Sequence, residues 1–219
     1  VHIFGQSADM TKIMKLAKKY KLKVVEDACE SLGSYYKGKA TGTMGDAGVY
    51  AFYPNKQMTT GEGGIVVTNS LKIYAECKSL RNQGRNAQGD WLTHVQMGYN
   101  YRLDEMSSSL GVTQLKKLDW MIAEKIAKWY EKYLSNHPNI LLPQTAGDRS
   151  HSWFVYVIRV TNKKRNALLD HLSSLKIQTK PYLPVIHLQP FMKKQFGYKK
   201  NSFPIAEQVA SETLALPFY

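Results

Sequence analysis

Apolar and polar positions in the first half of the chain follow two rhythms. Ile13, Leu16 and Ala17 share one face of a helix predicted over roughly residues 10–21, with Asp9 placed to cap it. Short β-rich runs come next, and Lys23–Glu26, Ala47–Phe52 and Ile65–Thr68 read as strands. A loop containing Gly33, Gly38, Gly42 and Gly45 separates the first two, and Asn69-Ser70 can start a helix carrying Tyr74, Cys77 and Leu80. Val1–Phe4 reads as part of a further strand. This alternation predicts an α/β fold, with a mostly parallel sheet covered by helices on both faces.

From Asp104 the rhythm changes. Met106, Leu110, Leu115, Leu118, Ile122 and Ile126 predict one helix of about seven turns, long enough to bridge two domains. After His137-Pro138-Asn139 a second unit follows, with a strand Trp153–Val160, a helix near Arg165–Leu175 and an irregular tail containing Pro181, Pro184, Pro190 and Pro204. The expected division is a larger domain at 1–117 and a smaller α+β domain at 118–219. No repeat or low-complexity linker interrupts it. Both ends look cut, which predicts a fragment of a longer protein lacking its N-terminal part.

Composition narrows the class. Apolar residues make up 43% of 219, an ordinary globular share. No apolar run approaches the ~20 residues needed to cross a bilayer, and Val1-His2-Ile3-Phe4 does not open a signal peptide. Cys29 and Cys77 have neither metal-ligand nor redox spacing, so no metal is expected, and so few thiols suit a reducing cytoplasm. The net charge of +13 raises a nucleic-acid reading. Its lysines, however, cluster on one amphipathic helix (Lys12, Lys15, Lys18, Lys19, with Lys21 and Lys23 beside it) and near the C-terminus (Lys193, Lys194, Lys199, Lys200), without any zinc-finger, RNP or homeodomain pattern. A solvated basic face is the expectation, with no nucleic-acid partner.

The candidate chemistry sits at two strand ends. Lys23-Val24-Val25 runs into Glu26-Asp27, and the strand ending at Phe52 is followed by Tyr53-Pro54-Asn55-Lys56, then Gly61-Glu62-Gly63-Gly64. An amine and a carboxylate on one rim of a parallel sheet suit pyridoxal phosphate, which needs an amine for a Schiff base and an acid for its ring nitrogen. A surface lysine, an Asp helix cap and a glycine turn would explain the same residues one at a time. Spacing alone leaves both readings open.

The segment Val24-Val25-Glu26-Asp27-Ala28-Cys29-Glu30 resembles a motif of the DegT/StrS-type sugar-nucleotide aminotransferases. So do Gly45–Gln57 with Thr59–Gly64, then Arg81–Arg85, Gly98–Leu103 and Pro184–Pro190, and the chain's opening and its closing Leu216-Pro217-Phe218-Tyr219. The resemblance runs through the whole chain in order. It implies part of the large domain of an aspartate-aminotransferase-like (fold type I) enzyme, plus its small C-terminal domain. Such enzymes use pyridoxal phosphate to move an amino group from an amino acid, usually glutamate, to a keto sugar linked to a nucleoside diphosphate. They serve deoxyamino-sugar and cell-surface polysaccharide synthesis and work as homodimers.

Carried over by position, the resemblance makes Lys56 the Schiff-base lysine and Asp27 the partner of the ring nitrogen. Glu30 falls near the ring hydroxyl, Asn100 reaches the cofactor phosphate across a dimer interface, and His187 lies toward the sugar nucleotide. Two departures stand out. Ala51 occupies a position where many members have a phosphate-binding serine, and the family's phosphate-holding helix start and ring-stacking aromatic have no match here. The alternatives are a non-catalytic or regulatory module of the same fold, or another fold-type-I enzyme such as a cysteine desulfurase. The family's dehydratase branch replaces the lysine with histidine, which Lys56 argues against.

Overall fold

The computed structural model describes residues 1–86, 92–122 and 124–218, so Tyr219 of the closing motif lies outside the described residues. Contacts gather the chain into two compact units. One is Val1–Ile122 with Thr145–Phe154, and the other is Ala123–Gln144 with Val155–Tyr219.

In the first unit, α1 (Met10–Tyr20) starts where the Asp9 carboxylate accepts the Lys12 amide at 3.2 Å, and it buries Met10 and Ala17. The strands are β1 (Val25–Asp27), β2 (Tyr35–Tyr36), β3 (Lys39–Ala40), β4 (Ala47–Ala51) and β5 (Gly64–Val67). β2 and β3 form a small antiparallel pair, while β1, β4 and β5 form a sheet in that order. β1 runs parallel to β4, with Asp27 opposite Val49, whereas β5 runs antiparallel to β4, with Tyr50 opposite Ile65. The sheet is therefore mixed. Residues 52–63 join β4 to β5 without a helix, and a parallel return would need a crossover, usually helical.

Val1–Phe4 is not a strand. Positive φ at Phe4 (60°) and Gly5 (102°) ends any extended run there, although the His2 amide donates to the Asp27 carbonyl at 2.9 Å. Within the sheet, a Cβ at Gly48 would overlap the Gly42 carbonyl oxygen, so β4 can lie against the 41–45 loop only as glycine at that position.

Ser70 and Asp104 cap α2 (Leu71–Leu80) and α3 (Glu105–Leu115) through the amides of Ile73 and Ser107. The single long helix expected from Asp104 onward is instead three: α3, α4 (Leu118–Met121) and α5 (Glu124–Leu134). Neither break contains Gly or Pro. Ile122 turns extended (ψ 109°), and the Ile122 and Leu118 side chains pack where a Cβ on Gly33 would stand. Tertiary packing overrides the helical spacing there.

The second unit contains α5, β6 (Ile140–Leu141), β7 (Tyr156–Val160), α6 (Arg165–Ser174), a 3-10 turn at Ile186–Leu188, α7 (Pro190–Phe196), α8 (Pro204–Glu212) and β8 (Thr213–Leu216). β6, β7 and β8 make an antiparallel sheet. Alternate residues Tyr156, Ile158 and Val160 point into the core, where Leu214 is fully buried. The strand expected from Trp153 starts only at Tyr156, because Trp153 takes a positive φ of 49°. The proline-rich tail is not irregular either. Pro190 and Pro204 sit in the first turns of α7 and α8, where a missing amide hydrogen costs nothing.

Candidate active site

Because β1 and β4 are parallel, Asp27 at the end of β1 and Lys56 beyond β4 emerge from the same end of the sheet. Lys56 is tucked in, with 15% of its side chain exposed. Its Nζ lies 3.6 Å from Glu30 Oε1 and 4.3 Å from the centroid of the Phe154 ring, and both neighbours attract an ammonium. Glu30 Oε2 in turn accepts the Phe4 amide at 3.1 Å.

The Asp27 carboxylate accepts the Cys29 amide at 3.1 Å. Burial opposes its charge, but the bonds from Cys29 and the nearby Lys56 charge outweigh burial and hold the carboxyl below its ordinary value. Asp27 is therefore an anion at neutral pH. Burial first, then Asp27, push the Cys29 thiol up to about 11, so Cys29 stays protonated and offers no thiolate for desulfurase chemistry.

Strand alternation sends Glu26 the other way. It is 3% exposed and accepts from the Gly42 amide at 2.9 Å, from the amides of Met44 and Gly45, and from His2 Nε2 at 2.8 Å. His2 Nδ1 accepts the Ala8 amide at 3.0 Å, which leaves the ring proton on Nε2. Burial raises the Glu26 carboxyl, yet these donors outweigh it and keep the group ionised. Of two adjacent carboxylates, Glu26 anchors the glycine loop and Asp27 faces the sheet end.

Residues from much later in the chain close the site. A Cβ on Gly5 would stand 2.6 Å from the Trp153 nitrogen, so only glycine lets residues 151–154 pass this close. The Ser152 amide donates to the Gly5 carbonyl at 2.8 Å and the Phe154 amide to the Phe4 carbonyl at 3.3 Å. This contact carries Phe154 to Lys56 and Ser152 to Gln57. Gln57 Nε2 donates to the Glu30 carbonyl at 2.6 Å and to Ser152 Oγ at 3.1 Å.

Asn100 is exposed, and its Oδ1 accepts from Arg102 at 3.0 and 3.2 Å. His187 lies in the second unit, 7% exposed, with Nε2 bonded to Glu207 Oε1 at 2.9 Å and the Phe203 and Tyr198 rings edge-on to it. Lys56, Asp27 and Glu30 thus come together, while Asn100 and His187 have other partners. Gln57, Ser152 and Phe154 were not foreseen. Gln57 could have been suspected from its place beside Lys56, but nothing in the pattern around Ser152 and Phe154 links them to a lysine so far upstream.

The DegT/DnrJ/EryC1/StrS aminotransferase family matches residues 1–219. The chain belongs to this family. It is 36% identical to the GDP-perosamine synthase of Escherichia coli O157:H7, covering all of this chain and 59% of that one. It is 37% identical to the dTDP-3-amino-3,6-dideoxy-alpha-D-galactopyranose transaminase of Aneurinibacillus thermoaerophilus, covering 99% of this chain and 58% of the relative. Among solved structures, S. venezuelae DesV superposes with a TM-score of 0.90 at 33% identity, over 99% of this chain and 58% of DesV. The chain spans about three-fifths of the length of these relatives and has the corresponding part of their mixed α/β fold. Among the described residues of this family member, no helix is long and apolar enough to cross a membrane, and no group of three or more His, Cys, Asp or Glu could hold a metal ion.

Proposed function

We propose that this chain is the lysine-bearing part of a pyridoxal-phosphate-dependent aminotransferase. Its substrates would be an amino-acid donor, glutamate by the family's habit, and a keto sugar carried on a nucleoside diphosphate. Residues 1–117 would belong to the large domain and 118–219 to the small one, in a cytoplasmic homodimer with shared sites. The observation that carries the reading is the pairing at one sheet end of a shielded amine, Lys56, with a carboxylate held ionised, Asp27. The donor set fits the cofactor. It consists of one amine for a covalent link, one anion to keep a pyridine nitrogen protonated, and an aromatic face and a second carboxylate beside the amine.

When bound, pyridoxal phosphate supplies an electron sink for amino transfer. The chain's own residues would hold and serve it. Lys56 would anchor it covalently and then carry a proton on Nζ, and Phe154 would screen that amine from water. Asp27 would fix the ring nitrogen as a cation, and Glu30, now beside Lys56, would lie near the ring hydroxyl. Asn100 would hold the phosphate of the partner's cofactor, and His187 would support the segment on the sugar-nucleotide side. Ala51 ends β4 in a methyl, so no side-chain hydroxyl donates to phosphate from that position.

The test is optical. Full-length protein incubated with pyridoxal phosphate should develop a visible band that shifts on adding glutamate and is absent from Lys56→Ala. If the unaltered protein never takes up the cofactor, the reading fails. A borohydride-reducible adduct persisting in Lys56→Ala would sink the lysine assignment alone.

A further inference from the structure

We infer that Gln57 is a positioning residue for Lys56, tying the lysine's turn to Glu30 and to Ser152 so that the amine meets the cofactor in one orientation. The inference rests on the proposed cofactor reading and names a device within that site. Lys56 lies in the connection between β4 and β5, where its amide donates to the Tyr53 carbonyl at 2.9 Å. Glu30 and Phe154 flank the lysine side chain, and that contact depends on where the turn itself is held. The adjacent Gln57 holds the turn, because its side-chain amide donates both to the Glu30 carbonyl at 2.6 Å and to Ser152 Oγ at 3.1 Å.

Both anchors are themselves fixed. Glu30 Oε2 accepts the Phe4 amide, and Ser152 Oγ is fully buried, with its amide bonded to Gly5. The carboxylate that flanks Lys56 and the carbonyl that holds Gln57 belong to one residue, Glu30, so the turn and the amine are set against the same point. Ser152 likewise lies two residues from Phe154, whose ring carries the Lys56 ammonium. The other end of the Gln57 amide points to the same conclusion. Among the described residues its buried Oε1 has no hydrogen-bond partner, so two donor bonds hold the side chain against an unsatisfied acceptor. A glutamine placed only to fill space would not require that geometry, and methionine of similar volume would fill it without the orphaned oxygen.

The role separates from general packing through the chemistry of the two cofactor forms. Linking Lys56 to pyridoxal phosphate joins its neutral amine to the aldehyde carbon as a C=N bond. The ammonium proton is first released to solvent and the aldehyde oxygen leaves as water. Pyridoxamine phosphate has no aldehyde and binds without that bond, so it reports on the rest of the site and not on the lysine.

The experiment mixes full-length apo-protein with each form. Band appearance follows the aldehyde, and quenching of protein fluorescence follows the amine. Gln57→Met should slow band formation at least about tenfold, as misplacement of a reacting group does. Its pyridoxamine phosphate affinity should stay within about twofold of the unaltered protein, as for an independent site. Ser152→Ala, which removes one of the two anchors, should slow the band about threefold and also leave pyridoxamine phosphate binding unchanged. Equal losses for both cofactor forms would mean general packing and overturn the inference, and so would an unchanged rate in both variants. If Gln57→Met does not fold, Ser152→Ala decides alone by the same comparison. If the unaltered protein binds neither form, the cofactor reading itself has failed, whereas normal wild-type binding with unaffected variants fails the positioning role only.

Discussion

Two neighbouring carboxylates, Glu26 and Asp27, have opposite fates because a strand turns successive side chains to opposite sides. Glu26 is sealed under backbone donors and His2, while Asp27 remains at the sheet end with Cys29 and Lys56 beside it. His151 shows the same dependence on burial. Stacked 3.8 Å from Trp153, its imidazole is pulled by burial from an ordinary 6.5 to about 4. The unfolded chain therefore takes up a proton below pH 6.5 that the folded chain refuses until about pH 4, and stability falls as pH drops through that window. Unfolding by urea at pH 7 and pH 5 should differ by about 2 kcal/mol from this group alone. The difference should disappear in His151→Asn, and a variant with the same pH slope would refute the assignment. Lys56 and Asp27 were legible in the sequence as residues, but their electrostatic state was not, since it depends on neighbours that arrive only on folding.

Helices with a capping side chain begin where the sequence says, while helix breaks and strand bounds follow packing and backbone conformation. Asp9 and Ser70 cap their helices where the sequence placed the starts, and Asp104 proves to cap a third, because a cap needs only a side chain and an amide three residues on. The long helix after Asp104 failed because Leu118 and Ile122 serve the first unit at Gly33 rather than a continuous helical face. The β4–β5 pairing turned antiparallel because its connection is short and carries no helix. The Gly42–Gly48 approach is a further case in which the backbone, not a side chain, sets the element. Gly48→Ala should cost roughly 3 kcal/mol, since overlap with a backbone carbonyl can be relieved only by moving β4 or the loop. Gly61→Ala, with open space at its Cβ but a positive φ of 83°, carries backbone strain without a clash and is the comparison for Gly48, whose cost is the clash alone. Equal urea midpoints for the two variants would contradict this account.

At the scale of the whole molecule, the proposed shared site makes a prediction no single residue can. If Asn100 serves the partner's cofactor, Lys56→Ala and Asn100→Ala are each weak alone but complement when mixed. In mixed dimers one site carries both lesions and the other carries none, so refolding equal amounts together should restore about a quarter of the sites. Recovery no greater than the sum of the parents would place Asn100 with its own chain's lysine or outside the site. By itself the sequence determined the family, the capped starts of the first two helices, and the lysine and carboxylate at two strand ends. Each of these is written in contiguous motifs or in spacings of a few residues. Only the tertiary structure decided that Glu30 and Phe154 flank Lys56, that Gln57 reaches Ser152, and that His187 is bonded to Glu207. Those partners lie up to about a hundred residues apart, and no local pattern encodes a contact that exists only once loops such as 4–6 and 151–154 have been packed together.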